Sequence, residues 1–132
     1  MPAISWVAVA VCTVVAFVLG GLWYGPLFSK PWMAEHNIDK DTFKPRYSKG
    51  VMFSITILLN FIAAVVFSAF LGPAPAMGLA IGAGVSTGLC WVAPALAICH
   101  MFSSRSVKLI LIDAGFPVAM FTAYGVIFAY LG

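Results

Sequence analysis

Long apolar runs alternate with short polar stretches along this chain. The runs Ile4–Tyr24, Val51–Leu71, Gly78–Cys99 and Leu109–Leu131 each approach or exceed the ~20 residues needed to cross a ~30 Å hydrocarbon core. They predict four membrane-spanning helices. Between the first two lies a polar connection over residues 28–49, between the middle two a short turn at Gly72–Met77, and before the last the stretch Ser103-Ser104-Arg105-Ser106. The pattern defines an all-α, polytopic membrane protein. It is built as two helical hairpins and forms one four-helix transmembrane domain over residues 1–132.

Small residues recur inside the spans at helical spacing. Ala8, Cys12, Ala16 and Gly20 form one row on span one. Span three carries two adjacent rows, Gly78, Gly82 and Ser86 beside Ala80, Gly84 and Gly88, and span four carries Gly115, Ala119 and Ala123. Such rows let helix backbones approach closely where lipid supplies no hydrophobic drive for association. The helix-packing positions expected from them are Gly20, Gly82, Gly84 and Gly88. The two rows of span three predict that it packs centrally, on two sides. The rigid turn Gly72-Pro73-Ala74-Pro75 predicts that spans two and three are antiparallel neighbours. Gly25-Pro26 is expected to end span one, and Pro94 and Pro117 to kink spans three and four.

In the first connection, Pro31 to His36 predicts a short interfacial helix, with Trp32 and Met33 dipping into the headgroup region. Asn37 to Tyr47 is a mixed-charge connector broken by Pro45. A faint internal echo is also present. Gly21-Leu22-Trp23-Tyr24-Gly25-Pro26 resembles Gly88-Leu89-Cys90-Trp91-Val92-Ala93-Pro94 with one insertion. Two parallel hairpins from a duplication would give this pattern, as would chance in so biased a composition.

Charge adds orientation. All seven Lys and Arg residues fall in the two connections that a four-span chain places on one face. Lys30, Lys40, Lys44, Arg46 and Lys49 lie in the first, and Arg105 and Lys108 in the second. Basic loops stay in the cytoplasm, so both termini and the Gly72–Met77 turn are expected on the opposite side of the cell membrane. The first run lacks a basic stretch before it and reads as a retained span rather than a cleaved signal. Composition agrees, with 63% hydrophobic and 8% charged residues, far from soluble averages. The net charge of +3 belongs to residues hugging helix ends and calls for no nucleic acid.

Candidate chemistry is sparse. Asp113 is the only acid within a span, five residues past Lys108 and hence about 7 Å along the helix. An ionised carboxylate there costs about 1–3 kcal/mol, so it must face protein, pair with a cation or carry a proton. The candidates at its depth are Trp23, Tyr24, His100, Arg105 and the start of span two near Ser54. Two readings follow, a structural bond tying span four to its neighbours and a proton, cation or substrate site, of which the structural one is preferred. Thr56 and Asn60 share a face of span two and are expected to point into the bundle as interhelical contacts. Cys12, Cys90 and Cys99 lie in spans without paired or metal-ligand spacing and read as small apolar packers. No phosphate-binding glycine loop, nucleophile elbow or cluster of metal ligands occurs. No enzyme, cofactor or metal site is expected.

The run Leu19-Gly20-Gly21-Leu22-Trp23-Tyr24-Gly25-Pro26-Leu27-Phe28, followed by Lys30 and Trp32-Met33, resembles a family of small four-span membrane proteins catalogued as domain of unknown function 1761. The stretch Leu111-Ile112-Asp113-Ala114-Gly115 is similar to the opening of that family's last span, where Asn stands in place of Asp113. The resemblance covers nearly the whole chain. It implies a four-span fold and supplies no established activity. An Asn at the acid's position suits a hydrogen-bonding role that both residue types can fill.

The functional expectation is a non-enzymatic packing or accessory module. It would sit in the lipid bilayer and form a homo-oligomer or join a larger membrane complex. The alternative is a small-solute or ion transporter with a cytoplasm-facing polar site around Asp113. A transporter needs a polar path across the midplane, and Asn60, Thr56, Ser86, Thr87 and Thr122 offer a thin one. A structure with a continuous aqueous cavity would reverse the order of these two readings.

Overall fold

The computed structural model describes residues 4–39 and 41–132; Lys40, one of the basic loop residues, lies outside them. The described residues form helices α1 (Trp6–Leu22), α2 (Ser29–Glu35), α3 (Lys49–Leu71), α4 (Met77–Ser86), α5 (Ala93–Phe102) and α6 (Val107–Leu131). Two π-helical turns, π1 (Trp23–Leu27) and π2 (Thr87–Val92), join α1 toward α2 and α4 to α5. Four continuous helical stretches, Trp6–Leu27, Lys49–Leu71, Met77–Phe102 and Val107–Leu131, are long and apolar enough to cross a membrane. The chain is thus all-helical and multi-pass.

Gly25-Pro26 does not stop the first span. Pro26 offers no N–H, and the chain widens instead of ending, with the Phe28 N–H bonding the Trp23 carbonyl at 3.0 Å across five residues. The helix resumes as α2, two residues earlier than the sequence suggested. Pro94 is accommodated in the same way, at the start of α5 just after π2. Pro117 lies inside α6, which is a single helix over its 25 residues.

Both hairpins repeat one order of elements: a helix, a π turn, a short helix and a long helix opened by a serine. Ser48 Oγ accepts from the Val51 N–H and Ser106 Oγ from the Leu109 N–H, at 3.3 and 3.2 Å, satisfying donors the first turn leaves free. The short helices α2 and α5 end alike, in left-handed residues Asn37 (φ 54°) and Ser104 (φ 58°). The following N–H of Ile38 or Arg105 closes on the Met33 or His100 carbonyl at 2.9 Å, a Schellman termination. The echo noted in the sequence falls on π1 and π2.

Packing departs from the expected order. Spans one and four are central: α1 packs on α3 and α6, while α4, π2 and α5 pack on α6. Span three is therefore a flank. A Cβ on Gly84 would run into the Phe121 carbonyl oxygen, and one on Gly88 would sit 2.6 Å from Val118 Cα. Around Gly78 and Gly82 there is open space. Only one of the two small rows of span three meets a helix, because the other faces away from α6. The α3–α4 turn joins two flanks that share no extensive interface. It is closed by Gly72 in the left-handed region at φ 75°, its N–H on the Ser68 carbonyl at 3.0 Å.

The core fills the half of the bundle remote from the long connection. Ala8, Cys12 and Ala16 of α1 pack with Ala64 and Phe67 of α3 and with Met120, Tyr124 and Phe128 of α6. The Tyr124 hydroxyl donates to the Asn60 carbonyl at 3.0 Å. At the far end Ser5 Oγ donates to the Leu131 carbonyl at 3.2 Å, bringing the outer ends of the first and last helices together. Cys12 is buried, but Cys90 and Cys99 are exposed, so those two are not packers within this chain.

Candidate functional site: a chamber around Asp113

Toward the long connection the helices part around a cavity of about 900 Å³. All four spans and α2 contribute to its wall. The lining is mostly apolar, from Ala16, Phe17 and Gly20 of α1 to Met52 and Phe53 of α3, Leu96 of α5, and Phe116 and Pro117 of α6. Polar groups are few: Tyr24, Ser29, Trp32, Thr56, Asn60, His100 and Asp113. The cavity is confined to one half of the bundle, where the tight core ends.

Three side chains from three elements converge on Asp113. The Tyr24 hydroxyl donates to Oδ1 at 2.8 Å, the Trp32 indole N–H to the same oxygen at 3.1 Å, and His100 Nε2 meets Oδ2 at 2.6 Å. The side chains of His100 and Asp113 are 21% and 15% exposed. When the imidazole is protonated the contact is a salt bridge, in surroundings where charge-assisted bonds are strong.

The π turn makes this arrangement possible. Neighbouring Trp23 and Tyr24 both reach α6, Trp23 donating from its indole to the Ile112 carbonyl at 2.9 Å. An ordinary helical turn would splay adjacent side chains by about 100°; π turns recur at functional sites for such reasons. Gly115 gives the Trp23 ring room, since a Cβ there would lie 3.0 Å from its Cζ2. Phe116 packs tilted against both rings, its centroid 5.7 Å from that of Tyr24 and 6.2 Å from that of Trp23.

The short helix α2 carries Trp32 over the chamber. Its ring lies 6.0 Å from Tyr24 and 4.3 Å from His36, centroid to centroid. His36 Nε2 is enclosed and finds no partner among the described residues. Its imidazole is held below the ordinary range, first by loss of solvent and then by the Arg105 guanidinium, with Asp113 pulling the other way.

Of the residues singled out in the sequence, Asp113, Tyr24 and His100 form one bonded cluster. Trp23 is beside it but spends its N–H on backbone. Arg105 is exposed and does not bond the carboxylate, because it lies in the Schellman turn, where its N–H closes α5. Asn60 and Thr56 line the chamber. Thr56 donates to the Met52 carbonyl of its own helix at 2.7 Å. Asn60 is only 8% exposed, and its backbone carbonyl accepts from Tyr124. A Cβ on Gly20 would meet the Phe116 ring at an ordinary 3.5 Å. Sequence reasoning missed Trp32 as a donor to Asp113 and Gly125 as a contact, where a Cβ would come within 2.9 Å of Ile81 Cα. The Lys30–Trp32-Met33 segment was the available signal for the first.

The fold and this site define a class: a four-span, all-helical membrane protein with a chamber in one half of its bundle. The chain belongs to the family described as Protein of unknown function (DUF1761), whose sequence profile matches residues 7–129. No curated protein and no solved structure matches it.

Proposed function

We propose that this protein holds a small amphipathic molecule in a membrane-embedded chamber, as a binding or transport module that performs no chemistry of its own. One observation carries the reading: a cavity of about 900 Å³ with a mostly apolar wall, a bonded acid cluster and the buried Asn60 in its lining. Ligand sites share this character, a mostly apolar concavity with few polar groups that fix orientation. The size suits a single drug-sized molecule. A pure packing module would have no use for a void bounded by every span, since interiors are otherwise close-packed. The basic loops assign the open half to the cytoplasmic leaflet of the cell membrane and both termini to the outer side.

A cavity-filling change tests this. Gly21 lines the chamber, and nothing lies within 4 Å of a Cβ built there. Gly21→Phe fills the space without a backbone clash. Native mass spectrometry of protein released from lipid nanodiscs is expected to show small-molecule adducts on the wild type and few on Gly21→Phe. Equal adduct populations on the two proteins would sink the reading.

The accessory reading keeps one supporting observation. Gly78 and Gly82 leave a bare strip on α4, which a second copy or another membrane protein could cover. Cysteine cross-linking at Gly82 in membranes tests it, and absence of any cross-linked dimer or larger adduct counts against it.

A further inference from the structure

The described residues lining the chamber include no Lys, Arg or Glu; Asp113 and His100 are its acid and its base. We propose that the chamber takes an amphipathic organic cation, which displaces the His100 proton as the counter-charge of Asp113. The inference rests on the chamber reading above and adds the chemical class of the ligand and a coupled proton.

Charge bookkeeping drives it. The bonded pair at 2.6 Å is neutral when His100 is protonated. A cation entering beside it would leave one uncompensated positive charge in an apolar cavity, where unpaired charge is strongly disfavoured. Loss of the Nε2 proton to solvent restores neutrality: Asp113 carboxylate now faces the ligand cation, and His100 is left as neutral imidazole. One proton leaves for each cation bound, with no bond made or broken elsewhere. The wall suits such a guest. Tyr24, Trp32 and Phe116 surround the carboxylate, and aromatic faces attract organic cations. Phe17 and Phe53, edge to face at 5.5 Å, extend that surface toward Asn60. There Asn60, a lining residue only 8% exposed, offers its carboxamide to the ligand's far end. An anion would meet a carboxylate with no fixed cation on the wall.

The other charged or titratable groups around the pair are Tyr24 from π1, His36 from α2 and Arg105 from the turn after α5. Arg105 is fixed in charge. His36 is the one alternative source of a proton, and it lies outside the chamber lining.

Titration calorimetry on the protein in mild detergent tests the proposal, with tetraphenylphosphonium as cation, triphenylphosphine oxide as neutral analogue and tetraphenylborate as anion. Running each in two buffers of different ionisation enthalpy counts protons. Tetraphenylphosphonium is expected to bind with release of one proton. Its affinity should rise up to tenfold per pH unit over the range where the pair carries that proton. His100→Gln is expected to abolish both the release and the pH dependence, whereas His36→Phe keeps them. Asp113→Asn is expected to cost at least tenfold in cation affinity with its melting temperature checked alongside. If Asp113→Asn fails to fold, the His100→Gln comparison carries the test alone. Binding of the neutral or anionic probe as tight as the cation, blocked by Gly21→Phe, overturns the cation assignment and leaves the chamber standing. Cation binding without a proton overturns the exchange. No binding by any probe overturns the cation proposal, while the chamber reading still stands or falls on the adduct comparison.

Discussion

The Tyr24 hydroxyl donates to Asp113 Oδ1 at 2.8 Å, tying the π turn that ends span one to the first turns of span four across 89 positions of sequence. The same oxygen takes the Trp32 indole at 3.1 Å. The carboxylate therefore holds α1, α2 and α6 in one arrangement, whatever it does for a ligand.

That double acceptance predicts an asymmetry between two substitutions. Asp113→Asn keeps Oδ1 for Tyr24 and Trp32, and its amide can donate to His100 if the ring carries its proton on Nδ1. It is expected to fold with little loss. Asp113→Leu strands two partly buried donors and should cost about 1–3 kcal/mol, read by reversible denaturation in mild detergent. A Leu variant as stable as the Asn variant would show that the cluster contributes nothing to the fold.

Much of this cluster was legible because a lone acid in an apolar run has few places to go. Its depth, fixed by helical rise, put Tyr24 and His100, which bond it, among several candidates that do not. Trp32 was read as a lipid anchor because hydropathy describes a loop helix without its rotation over the bundle, and only the chain path through π1 supplies that. Arg105 was a reasonable partner by depth, but the turn that ends α5 points it away. The four spans were legible from length alone. Their neighbours were not, since a row such as Gly78 and Gly82 looks the same whether it meets a helix or lipid. The Gly-Pro stop failed for a related reason: a proline removes one hydrogen bond, and a π turn absorbs the loss without ending the helix.

The glycines of span three should separate sharply. Gly84 and Gly88 lie against the α6 backbone, and a Cβ at either position meets main-chain atoms that cannot swing aside. Gly84→Ala and Gly88→Ala are each expected to destabilise by about 1–3 kcal/mol through overpacking. Gly82, on the open side, should gain about 0.5–1 kcal/mol as Ala from its better helix propensity. Melting curves of the three variants check this, and a neutral Gly84→Ala would mean that the α4–α6 contact is looser than the structure has it.

Orientation rests on charge, and labelling checks it. Asp41 and Ala76 are exposed at opposite ends of the bundle. In a background with Cys12, Cys90 and Cys99 replaced by Ala, Asp41→Cys is expected to resist an impermeant maleimide in intact cells and react after permeabilisation. Ala76→Cys is expected to react directly. Reaction of position 41 from outside would invert the topology, and with it the side on which the chamber opens.

His36 predicts a pH effect outside the membrane spans. Its imidazole is pushed below the ordinary value by desolvation and by Arg105, and its enclosed Nε2 has no partner among the described residues. The neutral ring is therefore the form that folding favours, and the unfolded chain binds the proton more readily. By linkage, the stability contributed at His36 is fully present above its unfolded value of about 6.5. It falls as pH drops below that value toward the lowered folded one. His36→Phe keeps a ring against Trp32 and removes the titration, so the wild type should lose stability relative to the variant on going from pH 7.5 to 5.5. Melting temperatures of both proteins across that interval provide the measurement. Parallel curves would show that the ring has a route to solvent, or a partner, in the folded protein.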